Sequence, residues 1–126
     1  MERRATGPVG ARAENAALDY LINQGLRPVA RNFRCRGGEI DLIMIHDQCL
    51  TFVEVRYRTT SIFAQPDHTV DRHKQRKIIR TAAMFYARTR AYASHVMRFD
   101  VVAIEGEDPP SIRWVRDAFR PDDSTL

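Results

Sequence analysis

With 126 residues, 44% of them apolar, the chain suits one domain with its own core and is too short for two. No apolar run approaches the roughly 18 residues of a membrane span. No hydrophobic stretch follows the N-terminal arginines as a secretory signal requires, and two cysteines make no disulfide framework.

Net charge is +4 but uneven: residues 1–100 carry 17 basic and 10 acidic side chains, residues 101–126 only 3 and 6. The basic part suits a polyanionic partner, and the C-terminus is an acidic tail. Free thiols at Cys35 and Cys49 fit a reducing, cytoplasmic setting. Arginine outnumbers lysine 18 to 2, which fits either base composition or selection for forked contacts to phosphate.

In chain order, residues 1–9, with Gly7 and Pro8, read as a loose leader. Gly10 to Gln24 is helical in pattern: Ala17, Leu18, Leu21 and Ile22 form an apolar stripe, and Gly25 is a natural stop. Leu26 to Phe33 reads as a strand, with Pro28 suiting its start or a sheet edge. After Gly37-Gly38 come two strands, Glu39–Ile45 and Leu50–Arg56, joined by the short polar stretch His46-Asp47-Gln48-Cys49. With Asp47 and Gln48 as turn residues, Ile45 opposes Leu50, Ile43 opposes Phe52, Asp41 opposes Glu54 and Glu39 opposes Arg56, all eight on one face. Ile40, Leu42, Val53 and Val55 fall on the other face, so both faces are apolar and the hairpin is central, covered on both sides.

Arg58 to Gln65 reads as a loop. Residues 66–69 lead into a second helix, with Thr69 as N-cap, running to about Tyr92 with Val70, Ile78, Thr81, Ala82, Phe85 and Tyr86 inward. Arg98–Ile104 is a further strand, Gly106–Pro110 a loop and Ser111–Val115 a short last strand, after which the chain frays from Asp117. The order αβββαβ(β) predicts an α/β fold, a mixed central sheet flanked by helices, in one domain over residues 10–119 with an acidic disordered tail at 120–126.

Asp41 and Glu54, opposed on an apolar face, would repel one another without a cation or a raised pKa. Hard divalent cations such as Mg²⁺ take one or two carboxylates and keep waters for chemistry, which this pair suits. Glu14 lies four residues before Leu18 and seven before Leu21, on the apolar stripe of helix 1. It is either a boundary residue whose head reaches water or a third acidic group closing one end of a metal site. Arg56, two residues after Glu54, shares its face and completes the pattern D-x₁₂-E-x-R.

The stretches GGEIDLI (37–43), FVEVRYR (52–58) and MRFDVVAI (97–104), with a terminal DAF (117–119), resemble the YraN-type bacterial family from about Gly10 to Phe119. That family resembles archaeal Holliday junction resolvases and the PD-(D/E)XK nuclease superfamily. The thinner resolvase likeness rests on Gly10-x-x-x-Glu14, Glu39-Ile40-Asp41 and Glu54-Val55-Arg56. The resemblance implies a restriction-endonuclease-like core and Mg²⁺- or Mn²⁺-dependent cleavage of phosphodiester bonds in DNA, branched or structured DNA included. Glu14, Asp41 and Glu54 would be the acidic set. Arg56 would stand where the superfamily has its lysine, and a homodimer would match a two-fold junction.

Arg56 departs from that pattern. Arginine effectively never loses its proton, so it cannot act as a general base, although it can orient water or neutralise charge. Arg72, Arg76 and Arg80 recur every four residues as a basic stripe, reading either as a solvated face or as a track for phosphates. Lys74 and Gln75 resemble polar positions that follow the catalytic hairpin in nucleases of this class. Lys77, Arg58 and the loop Thr59-Thr60-Ser61 add further candidate phosphate contacts. The four histidines show no zinc spacing and read as surface residues. Asp100, between Phe99 and Val101, is either paired to an arginine or near the site; Trp114 and Phe119 either seal the sheet against a helix or anchor a dimer. Two functions follow: a metal-dependent endonuclease, or a catalytically silent module that keeps the nuclease fold and binds nucleic acid or a partner protein.

Overall fold

A computed structural model of the chain describes residues 8–58, 70–106 and 109–122. Helix α1 (Pro8–Asn23) is followed by β1 (Arg27–Cys35), β2 (Gly38–His46), β3 (Cys49–Arg58), α2 (Arg72–Arg88), a 3₁₀ turn (Arg90–Tyr92), β4 (Val96–Glu105) and β5 (Ser111–Val115). The strands lie in the order β1-β2-β3-β4-β5, antiparallel except for the parallel pair β3–β4. Parallel neighbours need a crossover, and α2 supplies it. This is the α/β order expected, a mixed sheet flanked by helices that matches a restriction-endonuclease-like core.

The sheet is buried on both faces, as the hairpin's composition requires. On one side Ile43, Ile45, Leu50 and Phe52 pack with Ile78, Ile79, Ala82 and Phe85 of α2. On the other, Leu42, Met44, Val53 and Val102 pack with Ala13, Ala17 and Leu21 of α1. The hairpin turns at Asp47-Gln48, with Asp47 at φ 56°, and pairs Ile45 with Leu50 and Ile43 with Phe52.

Regular pairing ends at Leu42↔Val53, one step short of Asp41 and Glu54. The expected alternation also breaks there, for Ile40 joins the same cluster as Ile43 and Phe52 instead of the opposite face. The cause lies on the neighbouring strand. Asn32 falls opposite Asp41, between the pairs Arg31↔Leu42 and Phe33↔Ile40, and has φ 52°. Asparagine is one of the few residues that visits this left-handed region readily, so β1 and β2 change face together at one level.

Several boundaries differ from the sequence expectation. Instead of at Gly10, helix α1 begins at Pro8, where proline's missing N–H is harmless. Helix α2 is capped by Asp71 and stops at Arg88, where Thr89 leaves helical geometry; residues 90–92 form a separate 3₁₀ turn. The Thr69 cap, the loop after Arg58, residues up to 7, His68 and residues 123–126 lie outside the described residues. The chain does not fray from Asp117. The Ala118 amide donates to the Phe99 carbonyl at 2.7 Å, and buried Phe119 stacks on Phe99 with centroids 5.3 Å apart. His46 is no surface residue either: its half-buried ring lies 5.6 Å from Trp114, which packs edge-on to Tyr20 of α1. No helix of the described residues is long and apolar enough to cross a membrane.

At Gly38, β2 comes close to α2. A Cβ there would lie 2.9 Å from the Thr81 hydroxyl, which is buried and donates to the Lys77 carbonyl at 2.8 Å. Gly38→Ala should therefore destabilise the fold by about 1–3 kcal/mol, the usual cost of overpacking. Urea unfolding checks this, and adding Thr81→Ala should recover part of the loss.

Candidate functional site

The three sequence-selected carboxylates are all buried: Glu14 is 1%, Asp41 1% and Glu54 4% exposed. Each is held differently. The Val55 amide donates to Asp41 Oδ2 at 2.8 Å, taking a carboxylate where a ladder carbonyl would otherwise sit. That amide is the peptide link following Glu54, so the ends of β2 and β3 bring Asp41 against the Glu54 backbone. Glu54 lies on the α2 side, where Lys74 Nζ sits 2.6 Å from its Oε2. Arg56, half-buried, shares that side by alternation in a strand that pairs regularly with β4 from Cys49↔Val96 to Arg58↔Glu105.

Glu14 arrives from α1. Its Oε1 accepts from Arg31 Nη2 at 3.2 Å and from Asn32 Nδ2 at 3.3 Å. Asn32 is the residue opposite Asp41, so Glu14 meets the sheet at the level of that residue. Its Oε2 is buried and has no hydrogen-bond partner among the described residues. A buried carboxylate oxygen without a donor is costly, and a cation or a water would relieve it.

Among the described residues no three His, Cys, Asp or Glu side chains gather as a ready metal-ligand set. Glu14, Asp41 and Glu54 have different partners among the described residues. Helix α1 brings Glu14 to β1, while α2 answers Glu54. What fits a hard cation is the chemistry of the donors: Asp41 and Glu54 offer carboxylate oxygens, the one or two that Mg²⁺ ordinarily takes with water completing its shell.

Helix α2 adds cations. Arg72, Lys77 and Arg80 are exposed, and Lys74 and Arg76 half-buried. No acidic residue occupies its first turn, so these charges crowd the end where the helix dipole is already positive. An anion bound there would be favoured by both. Of the candidate contacts, Gln75 donates from its side-chain Nε2 to the Val70 carbonyl at 2.7 Å, and Arg72 pairs with Asp122 at 3.1 Å. Arg58, exposed, ends β3.

Asp71 holds this helix start. Its Oδ1 accepts from the Lys74 amide at 2.8 Å. That hydrogen bond, helped by the charges of His73 and Lys74 and opposed by slight burial, keeps the Asp71 carboxyl below its ordinary range. The cap therefore stabilises the fold fully above the unfolded value of about 3.9, and is lost as the pH falls through the depressed folded value. Asp71→Ala should cost about 0.5–2 kcal/mol at neutral pH. Urea unfolding of both proteins over pH should show the difference shrinking in strong acid.

Residues 13–104 match the model of the family described as Uncharacterised protein family UPF0102. The chain belongs to that family. A UPF0102 protein of Xanthomonas campestris pv. campestris (strain B100) is 48% identical over 114 residues, covering 90% of this chain and 93% of that protein. One from Saccharophagus degradans is 44% identical, covering 87% and 91%, and one from Pseudomonas putida (strain W619) 39%, covering 94% and 98%. The UPF0102 match includes Glu14, Asp41, Glu54, Arg56 and α2 within its bounds, and the fold relates the family to the PD-(D/E)XK nucleases.

Two features of the site were not drawn from the sequence. Asn32 as the hinge between α1 and the hairpin left no signal beyond its tolerance of positive φ. The contact of Lys74 with Glu54 left one: the third position of a helix favours Glu or Gln, and a lysine there opposes both the capping box and the dipole.

Proposed function

We propose that this protein is a metal-dependent endonuclease that hydrolyses phosphodiester bonds in DNA, with branched or structured DNA as its substrate class. The observation that carries this reading is the buried Asp41 carboxylate held by the Val55 amide, the peptide link after Glu54, where β2 and β3 part, with Glu54 itself beside the cationic start of α2. The nuclease-like fold supports it; the preference for branched DNA leans on the likeness to junction resolvases. A pure binder of polyanions would gain nothing from buried carboxylates beneath its basic face.

Asp41 and Glu54 would hold Mg²⁺ or Mn²⁺, which supplies Lewis-acid polarisation of a phosphoryl oxygen and a more acidic water. Arg56, always charged, can orient that phosphate or offset its growing charge, but cannot take a proton. Arg58, Arg72, Arg76, Lys77 and Arg80 would position the backbone without reading bases. Each such contact adds a salt dependence of about −0.9 to the slope of log K against log salt. Arg76→Ala should lower that slope by roughly one in a titration of DNA binding. A two-fold junction would engage two copies of the chain.

The test is a cleavage assay on fork, junction and linear DNA with Mg²⁺ or Mn²⁺, run beside Asp41→Ala and Glu54→Ala. Products that need metal and disappear in both variants support the reading; products that persist in both come from a contaminant. One observation favours the second reading, a silent binding module: Lys74 already offers Glu54 a positive charge at 2.6 Å. Tight binding with no products in either metal would establish that alternative.

A further inference from the structure

We propose that Lys74 of α2 is a catalytic residue of this site: its ammonium contacts the phosphate under attack, the task that the hairpin itself, carrying Arg56, gives to no lysine. This rests on the nuclease reading and names a further member of the same site.

Three observations converge on Lys74. Its Nζ lies 2.6 Å from Glu54 Oε2, yet 26% of its side chain remains open to solvent while Glu54 is almost wholly covered. The lysine therefore stands between the buried carboxylate and the outside, where a phosphodiester would arrive. The residue is fixed at both ends, its amide by Asp71 and its ammonium by Glu54. A group held this way needs little reorganisation when charge develops beside it. Finally, its position opposes local preference, since the third residue of a helix disfavours cations. The interaction that offsets this lies in the sheet, not in the helix.

Arg56 and Lys74 then divide the work. The guanidinium is a planar fork suited to gripping two phosphate oxygens, whereas the ammonium is a compact point charge suited to one. In the step served, a water oxygen bonds to phosphorus and the bond from phosphorus to the leaving sugar oxygen breaks. The proton lost by the water is balanced by the one gained by the leaving oxygen, giving a phosphomonoester and a free hydroxyl. Lys74 takes no part in these proton movements and acts by charge alone.

The experiment compares the full chain with Lys74→Met and Lys74→Gln, measuring kcat and KM on the cleaved DNA substrate and unfolding by urea. Loss of one preorganised charge should lower kcat about 100- to 1,000-fold in either variant with KM changed by less than about threefold, and Lys74→Arg should restore part of kcat. Should Lys74→Met fail to fold, Lys74→Gln still offers Glu54 a hydrogen-bond donor and carries the comparison. A folded variant that cleaves at the parent rate, or loses only in KM, overturns the role of Lys74 and leaves the nuclease reading standing. A parent protein that cleaves nothing in Mg²⁺ or Mn²⁺ takes both down.

Discussion

Asp100→Ala should remove about 3–5 kcal/mol of stability, the usual cost of leaving a buried charge without its partner. Asp100 is 0% exposed and accepts four hydrogen bonds. Arg98 supplies two, from Nε at 2.9 Å and Nη2 at 2.7 Å; Trp114 Nε1 and the Asp117 amide each supply one at 2.9 Å. The carboxylate thus ties β4 to β5 and to the segment that carries Phe119 onto the core. Burial works against charge on Arg98, but the hydrogen bond and charge of Asp100 outweigh it and raise its pKa. Truncation orphans all of these donors at once. Ordinary domains hold only about 5–15 kcal/mol in total, so the variant should sit near its unfolding threshold. Urea unfolding followed by the fluorescence of Trp114, the sole tryptophan, reads the loss directly. A change below about 1 kcal/mol would mean that water replaces the carboxylate without penalty.

Asp41→Asn and Glu54→Gln should each reduce DNA cleavage by about 100-fold or more while leaving the protein folded. Both substitutions keep shape. The first still offers an oxygen to the Val55 amide, which now donates to Asp41 at 2.8 Å. The second still gives Lys74 an acceptor where it now finds Glu54 Oε2 at 2.6 Å. What both lose is charge. Because the two carboxylates would serve one cation, the double variant should cleave little more slowly than the worse single variant, a non-additivity expected of groups that act as a unit. DNA binding should hold or tighten, since a negative charge leaves the neighbourhood of a polyanion. Cleavage falling in proportion to binding would instead mark the two residues as parts of the docking surface.

The hairpin was legible because its warrant is local. A polar turn at Asp47-Gln48 between two apolar strands sets the register from His46↔Cys49 to Leu42↔Val53, where regular pairing stops. The pairing of Asp100 with an arginine was legible for a similar reason, Arg98 standing two residues away on the same strand. Its other partners, Trp114 and the Asp117 amide, were not, because they depend on how β5 returns and where the terminal segment docks.

By itself, then, the sequence determined the element order and the double burial of the hairpin. These follow from periodicity and turn chemistry, which act over a few residues. Only the tertiary structure decided which cation answers which carboxylate. Glu14 pairs with Arg31 and Asn32, while Lys74 reaches Glu54. Burial makes a partner obligatory for each carboxylate without saying which one. That choice depends on how two helices on opposite faces of the sheet bring distant residues together, and no local pattern records it.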